Sequence, residues 1–232
     1  MKSFLLSMLV CLLAYGAEAQ EAVSNDFVSL FDGKTLNGWT ATKENEKSFF
    51  VKDGALVCKG GRAHIFYTGK VGNADFKNFE LSLKVKTLSA SNSGVYFHTA
   101  YQKKGWPSAG FEAQVNATHG DPRKTGSLYG IVNIWAPTDA KESFVVRVDE
   151  KQEVFIMQPK APSTDGEWFD YHIIVQDKTI TIKVNGMTTV EWTQPKDWSK
   201  GERKIGRGTV GFQAHDPTCE VLYKDIKIKM LE

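Results

Sequence analysis

A period of two runs through this chain, and it constrains the fold more than any other feature. Leu81, Leu83 and Val85 alternate with Glu80, Ser82, Lys84 and Lys86. Phe144, Val146 and Val148 alternate with Val145, Arg147 and Asp149, and Ile180, Ile182 and Val184 with Thr179, Thr181 and Lys183. Side chains leave a strand on alternate faces, so each run reads as a strand with one apolar face. Asn185-Gly186 accepts the positive φ angles of a two-residue hairpin turn before Met187 to Trp192. Glu220 to Met230 is a further strand. No apolar stripe at i, i+3, i+4, i+7 is long enough for a three-turn helix. Many short strands broken by Gly, Pro, Asn and Asp predict an all-β protein, a two-sheet antiparallel sandwich or a barrel. No repeat or low-complexity linker divides it.

The first residues read differently. Lys2, an apolar run from Phe4 to Ala14, and Ala17-Glu18-Ala19 match an export leader with a small-x-small cleavage site at residues 1–19. The run is shorter than the roughly 20 residues of a membrane span, so no membrane insertion is expected once the leader is removed. Residues 20–232 then form one exported domain, periplasmic or extracellular, of a length that suits a β-sandwich. Lys and Arg total 29 against 27 Asp and Glu, well mixed, so no basic face points to nucleic acid. Beyond the leader the cysteines are Cys58 and Cys219. A disulfide and two buried thiols are both open, and neither residue has zinc-site spacing to a second ligand.

Three strands carry an unusual polar face. Tyr96 and His98 lie opposite Val95 and Phe97; Glu112 and Gln114 lie opposite Phe111, Ala113 and Val115; Gly211, Gln213 and His215 lie opposite Val210, Phe212 and Ala214. If these strands share a sheet, His98, Glu112, Gln114, Gln213 and His215 line one exposed surface. A plain solvated face would alternate too. Such a face is usually filled with Lys, Thr, Ser and Glu, as Glu80 to Lys86 is, whereas His, Glu, Gln and Tyr match sugar hydroxyls. The intervening loop from Asn116 to Gly130 adds His119, Asp121, Arg123, Lys124 and Tyr129, and Trp106 and Trp135 offer flat apolar faces. A conventional glycosidase needs two carboxylates across the bond it breaks. The E-x-D-x-x-E strand of laminarinase-type sandwiches reads Glu112-Ala113-Gln114-Val115-Asn116-Ala117 here, with two of three carboxylates missing.

Longer blocks resemble a known family. Phe27-Val28-Ser29-Leu30-Phe31-Asp32-Gly33-Lys34-Thr35-Leu36-Asn37-Gly38-Trp39, Asn92-Ser93-Gly94-Val95-Tyr96-Phe97, Gly110-Phe111-Glu112-Ala113-Gln114-Val115, Thr125-Gly126-Ser127-Leu128-Tyr129-Gly130 and Gly211-Phe212-Gln213-Ala214-His215 are similar, in this order, to the 3-keto-disaccharide hydrolase domain family. The resemblance implies a concanavalin A-like jelly roll of the lectin and glucanase type. It also implies an enzyme for glycosides whose C3 hydroxyl has become a ketone, cleaving by elimination and hydration. Glu112 and His98 would then be the acid/base core. Asn92, Tyr96, Trp106, Gln114, His119, Lys124, Tyr129, Gln213 and His215 would bind the saccharide. No cofactor is required; a divalent metal held by Glu112 and a histidine is the alternative means of polarising the ketone. The chain departs from the family in reading His98 for its usual Arg, Asp216 for its usual Gly and Lys224-Asp225 for its usual Arg-Asn. A non-catalytic lectin-like module is the main rival reading, ahead of a conventional glycosidase.

Overall fold

A computed structural model describes residues 26–147 and 154–232; the expected leader lies outside the described residues. The strands, in chain order, are β1 (Val28–Ser29), β2 (Trp39–Ala41), β3 (Phe49–Lys52), β4 (Ala55–Lys59), β5 (Ala63–Tyr67), β6 (Phe79–Thr87), β7 (Asn92–Thr99) and β8 (Phe111–Asn116). They continue as β9 (Val132–Trp135), β10 (Phe144–Arg147), β11 (Val154–Met157), β12 (Phe169–Gln176), β13 (Thr179–Val184), β14 (Met187–Thr193), β15 (Thr209–Ala214) and β16 (Glu220–Met230). Helix is confined, among the described residues, to two short 3₁₀ turns, and no helix is long and apolar enough to cross a membrane.

The large sheet runs β14-β13-β12-β6-β16-β4-β3, with β1 added against β16, and the second sheet runs β2-β5-β15-β7-β8. Every pairing within these two sheets is antiparallel. A small sheet of β10, β11 and β9 includes a parallel pair, β11 with β9. This is the all-β sandwich that the alternation predicts.

The period of two sets the large sheet's register. Leu81 sits opposite Ile173 on one side and Ile228 on the other, and Val85 opposite Phe169 and Tyr223. All of these are buried, while Glu80, Ser82, Lys84 and Lys86, which alternate with them on β6, are half-exposed. Asn185 and Gly186 take φ of 49° and 78°, the hairpin geometry expected of that dipeptide. Phe212 of β15 stacks on Tyr223 of β16 with centroids 4.2 Å apart, and the Tyr171 hydroxyl of β12 donates to the Gln114 carbonyl of β8 at 2.9 Å. Both contacts tie the sheets together. Cys58 and Cys219 are buried free thiols, with Cys219 Sγ 3.6 Å from the Cys58 carbonyl oxygen.

The smaller sheet departs from simple alternation in two ways. Its strands β7, β8 and β15 are buried on both faces, because chain segments 100–110 and 116–130 lie over the polar one. Glu112 is therefore buried rather than exposed. At the end of β7, three residue steps from Tyr96 to Thr99 face two from Gly211 to Thr209. Such a bulge breaks the period, and His98 takes φ of 53° within it. Its ring turns away from the polar face. Nδ1 accepts the Gly206 N–H at 3.2 Å, Nε2–H donates to the Lys77 carbonyl at 2.8 Å, and the ring edge meets Phe79 at 5.7 Å. Because Nδ1 accepts a hydrogen bond it carries no proton and the ring is neutral, and burial lowers its pKa in the same sense.

His98 is thus a strut, and the expectation that it forms half of an acid/base core is corrected by the bulge. Truncation to alanine removes both hydrogen bonds and leaves a void against Phe79. His98→Ala is expected to lower stability by about 2–4 kcal/mol, read as a reduced midpoint in urea with an unchanged slope.

Candidate active site

Between the covered face and its loops lies a cavity of about 290 Å3. Its floor comes from sheet register: Asn92 lies opposite Asn116, Gly94 opposite Gln114 and Tyr96 opposite Glu112, with Gln213 on β15 next door and paired to His64 of β5. Asn92, Tyr96, Glu112, Gln114, Gln213, His215, Tyr129 and Trp106 line it, all anticipated from the sequence. Arg203 and Asp121, which the alternation did not single out, line it too. Arg203 comes from the segment after β14 and Asp121 from the loop after β8, and neither position has a periodic signal.

Glu112 is the group most altered by this setting. A Cβ on Gly94 would overlap its carboxyl, so the absence of a side chain there makes room for it. Burial raises its pKa from near 4.5 to about 7; the Tyr96 hydroxyl and the Arg203 guanidinium pull the other way, and the Asp121 carboxylate adds to the rise. Tyr96 in turn accepts a hydrogen bond from Gln213 Nε2 at 2.8 Å. Gln213 Oε1 and His64 Nδ1 are buried without a hydrogen-bond partner among the described residues, and burial holds His64 down at about 4, neutral near physiological pH. Gln114 Nε2 donates to Asn92 Oδ1 at 2.8 Å. The floor is a strip of donors and acceptors fixed by one another, able to bind hydroxyl and carbonyl oxygens without rearranging.

The walls are ordered by their own bonds. Arg203 Nη2 donates to the Tyr129 carbonyl at 2.6 Å, and the Arg123 guanidinium lies 4.8 Å over the Tyr129 ring. Trp106, 46% exposed at the mouth, has Arg62 5.4 Å over its ring and meets His215 at 5.3 Å. Lys124, expected to contact a saccharide, instead points into its own loop. Its Nζ donates to the carbonyls of Asp121 and His119 at 2.7 and 2.9 Å and to Asn116 Oδ1 at 3.2 Å. It fastens the loop that carries His119 and Asp121.

His119 sits behind the lining. Its Nδ1 accepts the Asp121 backbone N–H at 3.1 Å, so the proton resides on Nε2, which lies 3.2 Å from Asp216 Oδ2. The same oxygen is 2.8 Å from His215 Nδ1. Desolvation works against the Asp216 charge, but hydrogen bonds from Thr218 and His215 hold its pKa at about 2. Ligating atoms of His119, His215 and Asp216 lie within 4.8 Å of one another, a span that a divalent cation can bridge. Such an ion would need a lone pair on His119 Nε2, where the Asp121 N–H places a proton. Glu112 is not in this group, so the cluster differs from the metal arrangement considered from the sequence.

The cavity's chemistry can be set beside known proteins. A 24% identical protein of Bacteroides thetaiotaomicron, a 3-keto-disaccharide hydrolase, aligns over 90% of this chain and 80% of its own length. A solved glycosyl hydrolase candidate of Parabacteroides distasonis, 22% identical, superposes with a TM-score of 0.60 over 89% of this chain and 94% of its own. The carbohydrate-binding module CBM66 of Bacillus subtilis, 8% identical, superposes with a TM-score of 0.51 over 83% and 95%. At these identities the structural likeness speaks for the jelly-roll fold. The family described as the 3-keto-alpha-glucoside-1,2-lyase-like domain matches residues 26–229, almost the whole described chain, and the protein belongs to that family.

Proposed function

We propose that the protein cleaves 3-keto-glycosides, with Glu112 as a proton-transfer group at the floor of the cavity. One observation carries this reading: a buried carboxyl whose pKa is raised to about 7 in a cavity lined by Asn92, Gln114, Gln213 and Arg203. A group that titrates at the working pH is what proton transfer needs, whereas a pocket that merely binds sugar has no use for it. Family membership and the name of the Bacteroides relative supply the substrate class.

The chemistry balances without an oxidant. A ketone at C3 makes the C2 proton acidic, so a base removes it and the electron pair moves onto the C3 oxygen. Collapse of that enolate forms the C1=C2 double bond and breaks the C1–O bond. Glu112, protonated below about pH 7, gives its proton to the departing oxygen. Water then adds across the double bond, hydroxyl to C1 and hydrogen to C2, and the net change is hydrolysis. Gln114, Gln213 and Arg203 supply hydrogen-bonding capacity for the sugar oxygens and the enolate.

A conventional glycosidase is the second reading, because Asp121 brings another carboxyl to the cavity. Matched 3-keto and unmodified disaccharides separate the two. Release of reducing sugar from the keto compound alone is expected, with turnover falling as pH rises above about 7 and lost in Glu112→Gln. Release from the unmodified sugar would favour the Glu112–Asp121 pair, and release from neither would favour a lectin.

The raised pKa also has a stability consequence. Between pH 4.5 and about 7 the folded chain keeps the Glu112 proton that the unfolded chain has lost. The folded state then binds more protons, so stability is full below pH 4.5 and declines as pH rises through this window, by about 3 kcal/mol. Glu112→Gln carries no such ionisation. Its melting temperature is expected to match the parent near pH 4.5 and exceed it at pH 8; a lower value at pH 8 would show that the carboxylate is stabilising.

A further inference from the structure

We propose that His215 is the base that takes the C2 proton, and that Asp216, backed by His119, is the positioning residue that fixes His215 in the tautomer with Nε2 unprotonated. The assignment as base rests on the function proposed above; the tautomer does not.

Hydrogen-bond direction fixes the tautomer. Asp216 Oδ1 accepts from the Thr218 backbone N–H at 2.8 Å and from Thr218 Oγ1 at 2.5 Å. The carboxylate is thereby locked in a tight turn with Oδ2 presented to the two imidazoles. An ionised oxygen only accepts, so His215 Nδ1, 2.8 Å away, must donate, and a neutral ring then has its lone pair on Nε2. No hydrogen bond occupies Nε2 among the described residues, and His215 lines the cavity. The proton that the Asp121 N–H forces onto His119 Nε2 also meets Oδ2, so the carboxylate faces a donor from each ring. Trp106 packs against the His215 ring and limits its rotation.

Two proton-transfer groups thereby acquire distinct tasks. His215 Nε2 accepts the C2 proton as the C–H electron pair moves to the C3 oxygen, and the resulting imidazolium is stabilised by the adjacent Asp216 carboxylate. Glu112 protonates the leaving oxygen. When water adds, its hydroxyl bonds to C1, its remaining proton restores Glu112, and His215 returns the proton to C2. Both groups end as they began.

Asp216→Asn separates positioning from folding. The two Thr218 donors outweigh the single His119 Nε2–H and hold the amide oxygen at the Oδ1 position, so the NH2 occupies the Oδ2 position and donates to His215 Nδ1. The turn survives while the histidine proton moves to Nε2, and the base is lost. Nitrogen-15 NMR of the imidazoles is expected to show the Nδ1–H tautomer for His215 in the parent and Nε2–H in Asp216→Asn. With 3-keto substrate, kcat is expected to fall at least about a hundredfold while KM changes less than about threefold. His215→Ala is expected to lose turnover and recover part of it with added imidazole.

An Nε2–H tautomer in the parent, or an unaltered kcat in Asp216→Asn, would overturn the proposal. So would activity abolished by a chelator and restored by a divalent cation, with one bound cation per chain lost in Asp216→Asn; the cluster would then be a metal site. The expected tautomers in a protein that leaves 3-keto sugars intact would keep the positioning assignment and sink the function instead.

Discussion

Loops lie over the polar side of the smaller sheet, and the water they exclude changes what its side chains are. On a solvated strand Glu112 would be an ordinary carboxylate. Beneath the 100–110 and 116–130 segments it has lost bulk hydration, and the charged form is disfavoured in proportion. Tyr96 and Arg203 offset part of that penalty, and Asp121 adds to it, leaving a carboxyl that exchanges its proton near neutrality. The glycine at position 94 belongs to the same arrangement, since any side chain there would evict the carboxyl.

Such a group keeps its surroundings only if the sheet and the loops are both rigid. The Phe212–Tyr223 stack and the Tyr171–Gln114 hydrogen bond fix the smaller sheet against the larger one. Lys124 fixes the longer loop from inside by donating to three oxygens of the loop and of the strand end that precedes it. Arg203 anchors the opposite wall on the Tyr129 carbonyl, while the Trp198 indole donates to the Arg203 carbonyl at 2.6 Å. Carbohydrate-binding modules share the scaffold, so under the proposed function the buried carboxyl of Glu112 is what separates this face from a sugar-holding surface.

Much of this was legible in the residues, because alternation reports the pleat directly. β6, β13 and the Asn185-Gly186 turn lie where the period of two puts them, and the same rule placed Tyr96, Glu112, Gln114, Gln213 and His215 around one hollow. It failed at His98, where a bulge inserts a residue and reverses the facing, a backbone event with no signature in side-chain polarity. Burial was not legible either: alternation says which way Glu112 points but not what lies above it. Arg203 and Asp121 reach the cavity through non-repeating loops, and Lys124 turned inward because carbonyls of its own loop were the nearest acceptors. Asp216 stood next to His215 in plain sight, and its importance rests on the Thr218 turn that aims its free oxygen.

The proposed catalysis depends on Glu112 keeping a proton at pH values where an ordinary glutamate has given it up. A carbon-13 NMR titration of the glutamate side-chain carboxyls, with Glu112 assigned by its loss in the glutamine variant, reads that property directly. A midpoint near 7 is expected. A midpoint near 4.5, the ordinary glutamate value, would mean that the face is effectively solvated and that the proton-transfer role has no physical basis.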